Sequence, residues 1–282
     1  MIVKTKIGTI EYSDLGKGKP ILFLHGGHSN CDETLWHKGF DLDEFKLITP
    51  SRPGYGKTPL STFESPKEAA GLVISLLDKI KIEKVVVIGI SAGGLTALEL
   101  AANYKDRVKK LILLSAVTKK WLQPSDALYR KGKILFSPAM EKFTWTMFRI
   151  FFKLTPLTMT KTLFKELSTV KGASFDRKEI ETIKEMTSKQ SSGNGFVNDL
   201  EQDITSGTHL KIECPTLIVH SKNDKTVSIA MAYHAKKNIL CSQLKLYNNK
   251  WGHLLWVGTD STEPITETLI FINKAQNQIY RP

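Results

Sequence analysis

Short continuous apolar runs recur along the first 117 residues of the chain. Such runs are typical of strands that are buried on both faces of a parallel sheet. They are KPILFLHG, FKLITPSRPG, KVVVIGIS and KKLILLSA, at residues 19–26, 45–54, 84–91 and 109–116. Before them, residues 1–14 alternate apolar and polar positions, which predicts an antiparallel hairpin that turns at Gly8.

Helical periodicity separates these runs. In SPKEAAGLVISLLDKI (65–80), Ser65 can cap a helix, Pro66 suits its first turn, and Glu68 lies three residues after the cap. GLTALELAANY (94–104) predicts an apolar helix that packs directly behind the most apolar strand. Alternating strands and helices predict an α/β fold with a mostly parallel, doubly wound sheet.

Residues 118–213 break this pattern, because they contain no convincing buried strand. The βα pattern returns with CPTLIVHS at residue 214. We therefore expect a core domain of residues 1–117 and 214–282, interrupted by an all-helical domain of residues 118–213. Helices are expected in the insertion near 125–135, 137–154, 158–170, 176–190 and 196–205.

One of these predicted helices, at 137–154, is unusually aromatic. A line of apolar residues keeps the 3–4 spacing of one helix face, and we expect this line to pack within the insertion. It consists of Met140, Phe143, Met147, Phe151 and Leu154. Trp145 and Phe148 point away from this line, so some of these rings must face another surface. That surface is either the mouth of a pocket above Ser91 or an interface with a dimer partner or a membrane, and nearby lysines would suit the last.

Composition and charge narrow the classes of partner. The chain has 282 residues, a formal net charge of +12 and a pI near 9.4. The basic residues are spread along the whole chain without an RNA-binding or helix-turn-helix signature, so we expect no nucleic-acid partner. No apolar run approaches about 18 residues, so we expect no stable membrane insertion. The sequence favours no particular oligomeric state.

Cysteine usage and the N-terminus indicate a compartment. Cys31, Cys214 and Cys241 are widely scattered and form neither a CxxC pair nor a zinc spacing. The N-terminus lacks the apolar region of a secretory signal. Both features favour a cytoplasmic protein, where thiols stay reduced.

The segment Gly89-Ile90-Ser91-Ala92-Gly93 carries the strongest chemical signal. It is a Gly-x-Ser-x-Gly motif at the end of the most apolar strand and the start of a helix. A sharp turn there would lift the Ser91 hydroxyl above the sheet edge, beside the free N–H groups of the helix N-terminus. A phosphate-binding turn is the alternative, but the motif lacks both the P-loop lysine and GxGxxG spacing.

A glycine-rich turn, His25-Gly26-Gly27-His28, follows an adjacent predicted strand. An acyl-transfer site needs two N–H donors for its oxyanion, and we predict that Gly27 and Ala92 supply them. The two histidines could instead bind a metal, but Cys31 and Asp32 do not complete a ligand set. We therefore predict neither a metal nor a cofactor.

A serine nucleophile needs a base, and the base needs an orienting carboxylate. Asp224 is the only acid in the loop after the strand CPTLIVHS, and His253 lies in the loop after the following strand. With Ser91, these residues share one rim of the sheet. Asp224 could merely cap the next helix. The other candidate bases are His220, within or at the end of its strand, and His234, in mid-helix.

Taken together, these motifs closely resemble those of the α/β-hydrolase superfamily. The resemblance covers 1–117 and 214–282, including SRPGYG at 51–56, where many members have Asp in place of Ser51. It implies that the insertion is a helical cap whose residues line the substrate pocket. The aromatic candidates for that lining are Trp36, Trp121, Phe143, Trp145, Phe148 and Phe152. A serine nucleophile excludes the aspartate chemistry of haloalkane dehalogenases and epoxide hydrolases.

These observations favour a serine hydrolase that acts on a small carboxylic ester through an acyl-enzyme. The alternatives are a C–C bond hydrolase, a proline-iminopeptidase-like aminopeptidase, a thioesterase and a cofactor-free haloperoxidase; the non-enzymatic alternative is a small-molecule receptor. An aminopeptidase would need insertion acids to bind the substrate amine. Those available are Glu141, Glu166, Glu179, Glu181, Glu185, Asp199, Glu201 and Asp203.

Overall fold

A computed structural model of the chain describes residues 1–275. Eight strands form one sheet, and the predicted apolar runs are found in it with ends shifted by a few residues. The strands are β1 (Ile2–Lys4), β2 (Thr9–Gly16), β3 (Lys19–Leu24), β4 (Phe45–Pro50), β5 (Val85–Ile90), β6 (Val108–Leu114), β7 (Thr216–Ser221) and β8 (Ser242–Tyr247).

Within the described chain, each strand from β4 onwards is followed by one α-helix, except β6, which is followed by five. The helices are α1 (Pro66–Lys79), α2 (Gly93–Asn103), α3 (Ala127–Leu135), α4 (Glu141–Leu154), α5 (Pro156–Leu167), α6 (Arg177–Lys189), α7 (Gly195–Asp199), α8 (Ala230–Asn238) and α9 (Thr262–Asn273). The capping box expected at α1 is present, since Ser65 and Glu68 exchange side-chain to backbone hydrogen bonds. None of the helices within residues 1–275 combines the length and the apolar character that a membrane crossing requires.

The sheet order is β1-β2-β4-β3-β5-β6-β7-β8. β2 pairs antiparallel with β1 and β4, whereas the strands from β4 to β8 in this order run parallel. The fold class predicted from the sequence is therefore confirmed. From β3 the chain passes to β4 on one side and then to β5 on the other. The crevice beyond the carboxyl ends of β3 and β5 is where open α/β sheets bind ligands.

Two apolar clusters cover the sheet. One joins strand residues to α1, α2 and α8, through side chains such as Leu72, Leu98 and Ala235. The other joins the sheet to α9 and to the inserted helices, through Phe271 and Phe164. Burial of these side chains supplies the main free energy that holds the layers together.

Helices α3 to α7 occupy the segment in which no strand was expected. α7 is shorter than the predicted helix at 196–205, because the chain leaves the helical path after Asp199. The side-chain amides of Asn198 and Gln202 both donate to the carbonyl of Glu64. These side-chain hydrogen bonds attach the segment around α7 to the loop that precedes α1.

The expectation for the faces of α4 is wrong. The line that begins at Met140 was expected to pack, yet Phe143 is 60% exposed and Leu154 is 71% exposed. The opposite face is the inner one, where Trp145 and Phe152 are buried. Periodicity separated the two faces correctly, but both are apolar, so the pattern could not indicate which one the rest of the protein covers.

Candidate active site

Ser91 lies in a tight turn between β5 and α2. Its φ of 49° is in the left-handed region, which is strained for a residue with a side chain. Two residues later, a Cβ on Gly93 would clash with the carbonyl oxygen of Leu24, so only glycine allows this approach of α2 to β3. The Gly-x-Ser-x-Gly motif therefore forms the strand-to-helix elbow that its position predicts.

The structure brings Ser91, His253 and Asp224 into one hydrogen-bonded chain. The Oγ of Ser91 lies 3.0 Å from Nε2 of His253, and Nδ1 of His253 lies 2.8 Å from Oδ2 of Asp224. All three residues are buried, with between 6% and 8% of each exposed. This arrangement allows the imidazole to accept the hydroxyl proton while the carboxylate fixes the tautomer.

The carboxylate of Asp224 is held by its own loop. Its Oδ1 accepts hydrogen bonds from the backbone N–H groups of Thr226 and Val227, both at 2.9 Å. Asp224 also forms an isolated antiparallel bridge with Ser168, at the end of α5. Asp224 does not cap α8, whose N-cap residue is Ile229 without a side-chain cap. It instead holds its own loop, while its second oxygen faces His253.

Of the two other candidate bases, His220 approaches the same carboxylate. Its Nε2 lies 2.9 Å from the Val227 carbonyl oxygen and 3.4 Å from Oδ2 of Asp224. Burial lowers the pKa of His220, which favours a neutral ring. His234 contacts Thr118 and His209 instead. In the described structure, His253 is the histidine that is hydrogen-bonded to Ser91.

The turn after β3 approaches the Ser91 side chain from the other side of the crevice. A Cβ built on Gly26 would lie 3.0 Å from the Cβ of Ser91, which leaves no room for a larger residue. Within residues 1–275, the N–H groups of Gly27 and Ala92 make no hydrogen bond. Both therefore stay the candidate donors for an oxyanion.

Arg52 anchors this turn from below. Its guanidinium donates to the carbonyl oxygens of His25 and Gly26 and forms a bidentate pair with Asp199 of α7. The Tyr55 hydroxyl donates to the same carboxylate at 2.5 Å. Burial opposes the charge of Arg52, but Asp199 outweighs it and raises the pKa of the guanidinium.

Aromatic rings from the insertion lie over Gly27. A Cβ on Gly27 would be 3.1 Å from the ring of Phe196, and this ring stacks on His28 with centroids 3.8 Å apart. Trp121, Phe136 and Trp145 surround the stacked pair of Phe196 and His28. We call the four side chains Trp121, Phe136, Trp145 and Phe196 the aromatic cover. Burial lowers the pKa of His28 to about 3, so its imidazole is neutral.

Comparison with known proteins identifies the family of this chain. Residues 19–257 match the family model of the alpha/beta hydrolase fold. The chain belongs to the α/β-hydrolase fold family. It is 42% identical over 264 residues to the uncharacterized hydrolase YcgS of Bacillus subtilis, in an alignment that covers 91% of this chain and 92% of that protein.

Two further similarities lie at lower identity. The chain is 26% identical over 261 residues to 2-hydroxy-6-oxononadienedioate/2-hydroxy-6-oxononatrienedioate hydrolase 1 of Pseudomonas putida, covering 86% of this chain and 85% of that protein. The solved α/β-hydrolase fold protein from Nakamurella multipartita superposes with a TM-score of 0.78 at 24% identity, over 95% of this chain and 96% of that one. The latter supports the fold alone.

Only some of the residues predicted to line the pocket of this α/β hydrolase lie in or beside the aromatic cover. Trp121 and Trp145 belong to it, and Phe148 contacts Trp145 with ring centroids 5.6 Å apart. Trp36 instead packs edge-on against Trp256 within the apolar cluster beneath α9. Phe143 and Phe152 do not line the site either. Phe143 is exposed, and Phe152 is buried in the same apolar cluster as Trp36.

Several insertion acids of the α/β hydrolase are engaged in structural contacts. The Glu141 carboxylate accepts hydrogen bonds from Ser191, Ser192 and Gly193, and Glu179 accepts one from the Trp251 indole. Asp199 is paired with Arg52. These contacts tie the insertion to itself and to the core, which weighs against a role for the three acids in binding a substrate amine.

Sequence reasoning missed Phe196, Phe136 and the partner of Arg52. Phe196 and Phe136 lie in segments with no motif, and Arg52 and Asp199 are separated by 147 positions. A groove of about 640 Å³ runs between α6 and the loops that contain Lys38 and Trp256, but no member of the hydrogen-bonded chain from Ser91 lines it. The crevice under the aromatic cover is therefore the site that the chemistry favours.

Proposed function

We propose that this α/β hydrolase cleaves a small carboxylic ester by way of an acyl-enzyme intermediate. The observation that carries the proposal is the hydrogen-bonded chain from Ser91 Oγ through His253 to Asp224. A hydroxyl is a weak nucleophile until a base removes its proton, and this geometry supplies the base and its orienting carboxylate.

In the first half of the reaction, His253 takes the proton of Ser91 as Oγ attacks the ester carbonyl. The N–H groups of Gly27 and Ala92 donate to the oxyanion of the tetrahedral intermediate. His253 then gives its proton to the departing alkoxide, which leaves Ser91 acylated. In the second half, His253 removes a proton from water, and the resulting attack releases the acid and restores the serine hydroxyl.

The surroundings of Gly27 favour an uncharged, apolar acyl group. The aromatic cover offers ring faces and edges, and small-molecule sites of this kind bind mainly through apolar contact. The name of the Pseudomonas putida relative specifies a dicarboxylate, which needs cationic partners. Arg52 directs its guanidinium to Asp199 and to backbone carbonyls, so a neutral ester suits this site better than a dicarboxylate.

The test combines covalent labelling with turnover. A fluorophosphonate should add one label, and peptide mapping should place it on Ser91. A panel of esters that vary in acyl length and leaving group should be hydrolysed by the native protein and not by Ser91→Ala. Turnover would also separate an enzyme from a small-molecule receptor.

Ser115 offers a matched control for this test. It too has a positive φ, of 45°, directly after a strand, but that strand is the neighbouring β6 and the residue is fully buried. Ser115→Ala should therefore keep both the label and the activity. Labelling at another residue, or ester hydrolysis that persists in Ser91→Ala, would contradict the proposal.

A further inference from the structure

Helix α4 carries two apolar stripes on opposite faces. The inner stripe contains Trp145 and Phe152, which are buried. The outer stripe is defined by Phe143, Met147, Ile150, Phe151 and Leu154, which follow the 3–4 spacing of one helix face. Of these, only Met147 is half-buried, and the other four are exposed. A helix that is apolar on both faces is normally enclosed, so the outer stripe lacks a cover within residues 1–275.

Exposed large apolar side chains are most frequent in the part of the chain that contains the outer stripe. Half of the large apolar side chains that are exposed in the described chain lie between residues 128 and 157. They are Leu128, Ile134, Leu135, Met140, Phe143, Ile150, Phe151, Leu154 and Leu157. Scattered exposed apolar residues are ordinary, but the outer stripe of α4 is a continuous row on one helix face, and such a row marks a surface that contacts something.

Positive charge is concentrated in the same segment. Although basic residues occur along the whole chain, residues 127–165 hold eight of them against a single acid, Glu141. Glu141 is buried and accepts hydrogen bonds from the 191–193 turn, so it lies away from the outer surface. Six of the basic residues are exposed: Arg130, Lys131, Lys142, Lys153, Lys161 and Lys165.

We propose that this surface docks onto an anionic lipid bilayer, with α4 lying in the plane of the interface. Phenylalanine and leucine side chains on one face, flanked by lysines with long flexible stems, are the pattern of helices that lie on a membrane. The apolar stripe would enter the boundary between headgroups and acyl chains, while the lysines stay at the level of the lipid phosphates.

Charge decides between a bilayer and a second copy of the chain. In a two-fold dimer the same patch of both protomers meets, so the exposed lysines of both protomers would be brought into one interface that holds no exposed acid from residues 127–165. An anionic bilayer instead offers negatively charged headgroups to the lysines and an apolar acyl-chain region to the outer stripe. The cytoplasmic location predicted above would also expose this surface to the anionic cytoplasmic leaflet.

Flotation with lipid vesicles tests the proposal. The native protein should bind vesicles containing about a third phosphatidylglycerol, should bind phosphatidylcholine vesicles far less, and should be released by salt. Phe143→Asp/Phe151→Asp should reduce the partition into anionic vesicles by about tenfold or more, because charge replaces two exposed rings that would enter the bilayer. Leu240→Asp is the matched control, since Leu240 is 87% exposed elsewhere.

A second pair of variants tests how much the lysines contribute to vesicle binding. Lys142→Glu/Lys153→Glu should weaken binding to the anionic vesicles by about tenfold or more, at roughly 1 kcal/mol for each basic residue lost. Lys67→Glu/Lys79→Glu makes the same change on α1, where both lysines are exposed, and should leave binding close to the native level. Circular dichroism and hydrolysis of a soluble ester should be unaltered in all of these variants.

Two outcomes of the vesicle experiments would contradict the proposal. Native protein that stays with neither vesicle, or that binds equally with and without the α4 substitutions, would contradict membrane docking. A dimer in sedimentation velocity that dissociates in Phe143→Asp/Phe151→Asp would assign the surface to a second copy instead. None of these outcomes depends on the identity of the ester substrate.

Discussion

The guanidinium of Arg52 and the carboxylate of Asp199 form a bidentate ion pair, with both N–O distances 2.8 Å. Both side chains are almost fully buried, at 3% and 2% exposed. Arg52 also donates to the carbonyls of His25 and Gly26, immediately before Gly27. One charged side chain therefore fixes the position of α7 and of the turn that faces Ser91.

Asp199→Asn should destabilise the protein by about 3–5 kcal/mol, because it leaves a buried guanidinium without its charged partner. Urea unfolding measures this change. We also expect a lower kcat, since the turn that carries Gly27 loses its support. Asp43→Asn removes the exposed ion pair with Lys17 and should cost less than about 1 kcal/mol. Equal effects of the two substitutions would argue against a supporting role for the buried pair.

Asp224→Asn should retain the fold while kcat for an ester falls by about four orders of magnitude, because an amide favours the wrong imidazole tautomer. His253→Ala should lose as much as Ser91→Ala, and the double variant should lose little more, since the residues act as one unit. Steady-state kinetics measure both effects. His234→Ala is the control and should keep native turnover; near-native activity in His253→Ala would show that another base operates.

Phe196→Leu should alter substrate preference. If the acyl group lies against the aromatic cover, long apolar esters should lose roughly 1–3 kcal/mol in kcat/KM, while the smallest acetate ester changes little. Phe143→Leu makes the same substitution on the exposed face of α4 and should leave the profile unchanged. A uniform loss across the ester panel would indicate damaged folding rather than a lost contact with the acyl group.

His28 should make stability depend on pH. Its native pKa is about 3, below the ordinary value of 6.5, so the unfolded state takes up the proton first. This contribution to stability is present above pH 6.5 and decreases as the pH falls towards 3. Between pH 7 and pH 5 the native protein should therefore lose up to about 2 kcal/mol through this group.

Urea unfolding of His28→Asn at the two pH values isolates the contribution. Asparagine tolerates the positive φ of 64° at this position and does not titrate, so the loss between pH 7 and pH 5 should shrink. Ser192→Ala removes the hydrogen-bond partner of His28 but keeps the imidazole, and it should retain the native pH dependence. An unchanged pH dependence in His28→Asn would exclude His28 as its source.

Patterns in the amino-acid sequence were enough to predict the α/β fold, the elbow at Ser91 and the loops that carry Asp224 and His253. These features follow from local rules: a continuous apolar run predicts a buried strand, and parallel strands bring their carboxyl ends to one rim. Residues far apart in the chain could therefore be assigned to one site without knowledge of the packing.

Three features depend on packing in three dimensions: the face of α4 that is covered, the acid that pairs with Arg52, and the ring that lies over Gly27. Helical spacing sorts side chains into faces, but both faces of α4 are apolar, so burial depends on what packs against them. The contact of Arg52 with Asp199 and that of Gly27 with Phe196 each join the core to the insertion. Such pairs are selected by packing and mutual desolvation across the whole fold, and no local pattern of residues encodes them.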